Sequence, residues 1–244
     1  MNEGIYKGDT ILNADQIWEM QSVHTPNYIG RGSSRFFPTK HFAGYGLGWS
    51  LLDYEGVKVI EHGGGADGMI SKTMYVPESD FGMVVLTNNI NYLTGALMYY
   101  VIEDYFGKPS QDWSTLYYNF FKNFQERNLN EKVEMEKKRF KNTNPSLNLK
   151  DYVGIYGGEL YGNAEIRIEK DHLVLDFLPS DKLIGDLSHW HYDTFVIKLR
   201  NSPTLPEGKV NFIIGKDGKV EELRVDIPNP DFYFTELEFK KINK

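Results

Sequence analysis

No cysteine occurs among the 244 residues. A disulfide framework, a cysteine nucleophile and a thiolate metal site are therefore excluded, while the redox compartment stays open. Positive charge is also in short supply. Lys and Arg number 27 against 34 Asp and Glu, so the formal charge is 27 − 34 = −7, spread along the chain. No basic face exists to track a phosphate backbone, which argues against nucleic acid as a partner. No apolar run reaches the roughly 18 residues a membrane-spanning helix needs, and Met1-Asn-Glu-Gly4 is not a signal peptide. What the chain does have is aromatic bulk, with 16 Tyr and 15 Phe. Large rings should dominate its core.

Three regions separate by pattern. In residues 1–108, Asn13 followed by Gln16 reads as an N-cap and its N3 partner, opening a short helix through Ile17, Trp18 and Met20. A Gly-, Ser- and Pro-bearing loop is expected over 24–44, then strands at 46–52, 57–61, 69–76 and 82–87. Met83-Val-Val-Leu86 is too continuous for one face to meet water, which predicts a strand in the middle of a sheet. Leu93, Leu97, Tyr100, Val101 and Tyr105 follow at helical spacing, with Gly107 and Pro109 as the stop. Strands in sequence and then a helix laid on them point to α+β.

Residues 109–148 read as a helical linker. Its helix is aromatic in the first half (Trp113 to Phe124) and charge-rich in the second, and a polar, proline-bearing stretch, Lys141-Asn-Thr-Asn-Pro-Ser146, follows. Over 149–244 the pattern turns to period two. Strands are expected at 164–169, 172–177, 195–199, 210–214, 220–225 and 235–239, with hairpin turns at Lys170-Asp171 and Lys216-Asp217-Gly218. Short strands at this spacing describe a small antiparallel barrel. No repeat relates the two halves.

The chemistry, if any, gathers at His62-Gly-Gly-Gly65-Ala-Asp-Gly68. Consecutive glycines let another molecule approach the backbone, and amides there can face an anion; a bulged hairpin turn would explain them equally well. Gly63-x-Gly65-x-x-Gly68 has the dinucleotide spacing, but a strand follows and Asn88 stands where the acidic residue belongs. His62-Gly-Gly-Gly65 also spells a lipase oxyanion motif, yet no serine lies in a G-x-S-x-G frame. Both readings fail.

Tyr45-Gly-Leu-Gly48-Trp49, the glycine segment through Met69, an apolar strand, Pro77 and Val84-Val-Leu-Thr-Asn-Asn89 come in an order that closely resembles one family. It is the C-terminal part of serine β-lactamase-like hydrolases, the class C β-lactamase and penicillin-binding-protein-related family. The resemblance covers 1–108. It implies that His62, Gly63 and Gly64 stand for the third motif beside the nucleophile, and that the amide of Gly65 supplies half of an oxyanion hole. Gly63 and Gly68 would then border the substrate, which the family makes an amide, β-lactam or ester. Residues 149–244 resemble the lipocalin-like domain of unknown function often appended to such hydrolases, through Tyr152-Val-Gly-Ile-Tyr156, His172-Leu-Val-Leu-Asp176 and His189-Trp-His-Tyr-Asp-Thr-Phe195. A periplasmic or exported location is suggested by the family alone.

The departures are as informative as the match. The family needs S-x-x-K and then Y-x-N upstream of the third motif, and no serine here has lysine three residues on. Tyr117-Tyr-Asn119 and Tyr161-Gly-Asn163 spell Y-x-N but lie downstream, and Lys72-Thr73 is followed by Met74. Loss of a nucleophile can cost on the order of 10⁶ in turnover, against about 10²–10³ for one oxyanion donor. His189, His191 and Asp193 would share one face of a strand and are similar to the zinc motif of metallo-β-lactamases. Thr194 replaces the next ligand and no histidine follows, so no metal and no cofactor is assigned. The expectation is a fragment-like α+β chain, inactive alone: the antiparallel-sheet portion of a β-lactamase-like fold with its packing helix, a helical linker and a small lipocalin-like barrel. Its sheet would keep an unpaired edge and an uncovered apolar face, favouring a homodimer. The rival reading is a non-catalytic protein that binds a ligand or another chain through the barrel.

Overall fold

The computed structural model describes residues 4–66, 68–108, 111–229 and 231–242, and the chain divides into two compact units, Met1–Asn128 and Leu129–Lys244. Pro109, expected to stop a helix, lies outside the described residues.

The first unit opens with a two-strand ribbon, β1 (Ile5–Tyr6) and β2 (Asp9–Thr10), and helix α1 (Ala14–Met20). Asn13 caps α1 as its spacing predicts: Oδ1 accepts from Gln16 N at 2.8 Å, and Gln16 Oε1 accepts from Asn13 N at 3.1 Å. The region expected to be loop over 24–44 instead holds β3 (Thr25–Pro26) and α2 (Arg31–Phe36). β4 (Ala43–Tyr45) and β5 (Ser50–Tyr54) replace the single strand expected at 46–52. The chain must turn there, because a Cβ on Gly46 would sit 2.1 Å from the Met20 carbonyl oxygen and Gly48 has φ +80°. β6 (Val57–Ala66), β7 (Met69–Val76) and β8 (Phe81–Thr87) complete an antiparallel sheet of order β3-β4-β5-β6-β7-β8.

Two corrections follow. β6 runs five residues past its expected end, so the glycine triplet is strand rather than a turn after one. β8 is an edge strand, not a central one, and its burial alternates, with Val84 and Leu86 66% and 76% exposed. A continuous apolar run signals two faces that avoid water; in this chain only one of them is covered. α3 (Leu93–Tyr105) covers that face. Met98, Tyr99 and Ile102 pack with Trp113 of α4 (Trp113–Lys137) onto Leu52, Tyr54, Val59, Met74 and Val76. The apolar stripe read from spacing lies on the other side of α3, where Leu93, Tyr100 and Tyr105 are exposed.

The second unit is a closed antiparallel barrel. After α5 (Leu149–Tyr152) come β9 (Gly154–Gly158), β10 (Gly162–Glu169), β11 (His172–Phe177), β12 (Ile184–His191), β13 (Thr194–Leu199), β14 (Gly208–Ile214), β15 (Val220–Asp226) and β16 (Phe239–Lys241). β16 pairs with β9 and closes the ring. The turns fall where expected, with Lys170 at φ +55° and Gly218 at φ +76°. The strand expected at 235–239 is displaced to β16, because Phe234–Glu236 coil into a short 3-10 turn. Inward side chains of period two, among them Tyr156, Ile166, Leu175, Ile197, Val210 and Leu223, form one core. Outside, Arg167 binds Asp176 and Glu169, Arg200 binds Glu169 and Asp186, and Asp186 binds His172, one ionic chain across β10, β11 and β12 to the residue just after β13. Among the described residues no helix is long and apolar enough to cross a membrane.

Candidate functional site

The second half of β6 carries His62, Gly63, Gly64 and Gly65. β5 pairs with β6 only as far as Ser50↔Glu61, so from His62 to Ala66 the strand is laddered on its β7 side alone. Backbone groups point alternately to the two flanks of a strand. Every second residue of this segment therefore turns its N–H and C=O toward an open flank, as a donor for an anionic oxygen must.

The glycines are not required by the chain itself. None of Gly63, Gly64 and Gly65 has positive φ, a Cβ on Gly64 would meet nothing within 4 Å, and one on Gly63 would meet Ser71 O only at 3.5 Å. Only Gly65 is tight, with Ile70 Cδ1 3.1 Å from a Cβ. Glycine in a strand costs conformational entropy, so its use where side chains would fit points to something outside the strand. Gly68, at φ +80°, is a different case: the turn into β7 needs it.

Alternation along β6 puts His62 on the face of Ile60, away from α3, and its ring meets the Trp49 ring edge-on at 6.3 Å. His62 Nδ1 lies 2.6 Å from the Gly48 carbonyl oxygen. A carbonyl only accepts, so Nδ1 carries the proton and, in the neutral ring, Nε2 keeps the lone pair. His62 is exposed, and Thr73 and Val84 lie beside it in register on β7 and β8. Lys72 is on the opposite face, its Nζ 3.0 Å from Glu61 Oε2. It cannot serve as a base beside His62. Neither Y-x-N belongs to this face of the sheet: Tyr117 packs in the α3 core on the opposite face, and Tyr161 is part of the second unit, just before β10. Deeper on the His62 face, burial pushes the Tyr75 hydroxyl up to about 12, leaving it a neutral donor.

The H-x-H-x-D residues do something else. Asp193 accepts from Ser146 N (3.0 Å), Ser146 Oγ (2.7 Å) and Tyr152 Oη. His191 Nδ1 accepts from Phe140 N at 3.2 Å, and His189 Nε2 donates to Tyr192 O at 3.0 Å. The trio does not converge on one point: His191 and Asp193 grip the stretch that leads into the barrel, while His189 braces its own turn. Spacing along one strand could not show this, because the partners of His191 and Asp193 lie 41 to 51 residues away.

Residues 138–241 match the family model of a domain of unknown function, DUF3471. An unguisins hydrolase of Aspergillus violaceofuscus is 28% identical over 134 residues, 51% of this chain and 24% of that protein. Its counterpart from Aspergillus campestris is 28% identical over 143 residues, 54% of this chain and 26% of that protein. The chain thus spans about a quarter of the length of the curated relatives it matches. Among solved structures, the C-terminal domain of a penicillin-binding protein is 29% identical, with 43% of this chain and 95% of that one covered at a TM-score of 0.34. An octameric penicillin-binding-protein homologue from Pyrococcus abyssi is 16% identical, with 96% and 43% covered at 0.38. The family and hydrolase matches support the resemblance to the C-terminal portion of a β-lactamase-related protein.

Proposed function

We propose that the first unit is one wall of an acyl-transfer site of the β-lactamase-related kind, and that this chain does not acylate on its own. The observation that carries the reading is the Gly63–Gly65 segment: strand backbone, open on one flank, with glycine at 63 and 64 where neither conformation nor packing demands it. In the completed site a serine supplied from outside this sequence would attack an amide, β-lactam or ester carbonyl. The Gly65 N–H would steady the oxyanion, and His62, fixed by Gly48, would offer Nε2 to the substrate or to the proton-transfer network. Gly63 and Gly68 border the approach. The chain incubated with a penicillin should show no mass adduct by intact-mass spectrometry. A stoichiometric adduct would overturn the inactivity, and a loss of that adduct in His62→Ala would still keep the site.

The free β8 edge supports association of two copies as a second element of the reading. Seven residues from Phe81 to Thr87 carry no charge and no proline to repel another strand. As for the barrel, we read it as lipocalin-like in its eight-stranded closure. Tyr152, Tyr156, Phe195 and Phe212 fill its interior, which favours binding at its surface over a ligand held inside.

A further inference from the structure

We infer that residues 139–146 form an acid-released strap on the barrel, held by the β12–β13 turn at neutral pH and let go when His191 takes up a proton. The inference does not depend on the chemistry proposed for the first unit. Five consecutive residues, His189 to Asp193, receive the strap. Arg139 Nε donates to Trp190 O at 2.9 Å, and its guanidinium lies 4.7 Å from the centre of the Trp190 ring. The Phe140 ring packs on those of His191 and Tyr192 at 5.4 and 5.5 Å. Thr143 Oγ1 accepts from Tyr192 N at 3.1 Å, and Ser146 closes the strap on Asp193. Tyr192 holds φ +45°, so the turn is built in a conformation that non-glycine residues avoid.

His191 is the group in this set that changes role over a mild pH range. The Phe140 amide can only donate, so the docked strap requires an unprotonated Nδ1. Protonation sets donor against donor. It also adds a cation beside two others: Arg139, which meets Glu136 at 3.5 Å, faces His191 from the strap and Lys209 faces it from β14, with Lys209 Nζ 3.7 Å from the Trp190 ring centre. Asp193, the nearby anion of the turn, has both carboxylate oxygens engaged by Ser146 and Tyr152. Burial, then Arg139, His189 and Lys209, hold the docked imidazole below its ordinary value. The docked state therefore binds fewer protons than the released one. Docking is at full strength above the free imidazole value of about 6.5 and weakens as pH falls below it.

Amide hydrogen exchange of the full chain, corrected for intrinsic rates, tests this at about pH 7.5 and about pH 5. The Phe140 and Tyr192 amides should lose protection at the lower pH while Leu175 and Val210 in the barrel keep theirs. His191→Asn, which retains an acceptor near the Nδ1 position but no titrating ring, should hold the strap at both pH values. Unchanged protection of Phe140 in the wild type would overturn the strap. So would simultaneous loss at Leu175 and Val210, or a His191→Asn chain that opens in acid as the wild type does.

Discussion

The two units solve the same problem, the apolar surface of an antiparallel sheet, in opposite ways. The barrel closes β16 onto β9 and turns its apolar face inward, so neither an edge nor an apolar face is left. The six-stranded sheet ends at β8, has α3 on one side only, and leaves Met69, Val84 and Leu86 more than half exposed. A closed sheet is sufficient to itself. An open one leaves apolar side chains in water, and here Met69 and Val84 do so near the His62–Gly65 segment.

The sharpest way to break the contrast is in the barrel. Tyr156 is fully buried with its Oη on Tyr152 O, so Tyr156→Ala should destabilise the second unit by about 3–5 kcal/mol, read by denaturant unfolding. Next, Asp193→Ala strands the buried Tyr152 hydroxyl and both Ser146 donors, for about 1–3 kcal/mol. In the open unit, Asn13→Ala removes the side-chain half of the α1 cap, Oδ1 on Gln16 N, while the backbone N–H of residue 13 keeps Gln16 Oε1; it should cost about 1 kcal/mol of local stability, seen as faster exchange in α1. Val84→Lys with Leu86→Lys should alter unfolding by no more than about 0.5 kcal/mol yet abolish concentration-dependent association in sedimentation. If association persisted, the β8 edge would not be its cause.

A final, smaller effect concerns pH. Hydrogen bonds to Asp186 and then Asp171 raise His172 above its ordinary value, so its contribution is whole below about pH 6.5 and disappears as pH rises through the raised folded value. Its partner Asp186 is lowered to about 2, chiefly by Arg200, and its contribution fades only as pH falls toward that value. The melting temperature of His172→Gln should therefore lie below the wild type near pH 5.5 and converge with it in alkali. An equal difference at both ends would remove the ionic explanation.

Much of this was legible in the residues. The Asn13–Gln16 cap, the β10–β11 and β14–β15 turns and the inward alternation of the barrel strands are local signals, decided by neighbours one to four positions away. The glycine segment was visible as unusual and carried a family resemblance. Its place inside a strand was not, because glycine argues locally for a turn and only pairing with Ser71 and Lys72 keeps the chain extended there. Met83-Val-Val-Leu86 misled for a related reason. Hydropathy reports that a residue would gain from burial, whereas topology decides whether a neighbour exists to bury it.

By itself, then, the amino-acid order determined the capped start of α1, the helices α3 and α4, the antiparallel barrel, the exclusion of thiol chemistry and the want of a nucleophile motif, all properties of composition and short-range spacing. Tertiary structure alone decided that β8 is an edge, that Lys72 faces away from His62, that Gly48 sets the His62 tautomer, and that His191 and Asp193 bind Phe140 and Ser146 instead of converging with His189. Each of those depends on which side of a sheet a residue occupies or on partners dozens of positions away, and a two-residue period carries no information about either.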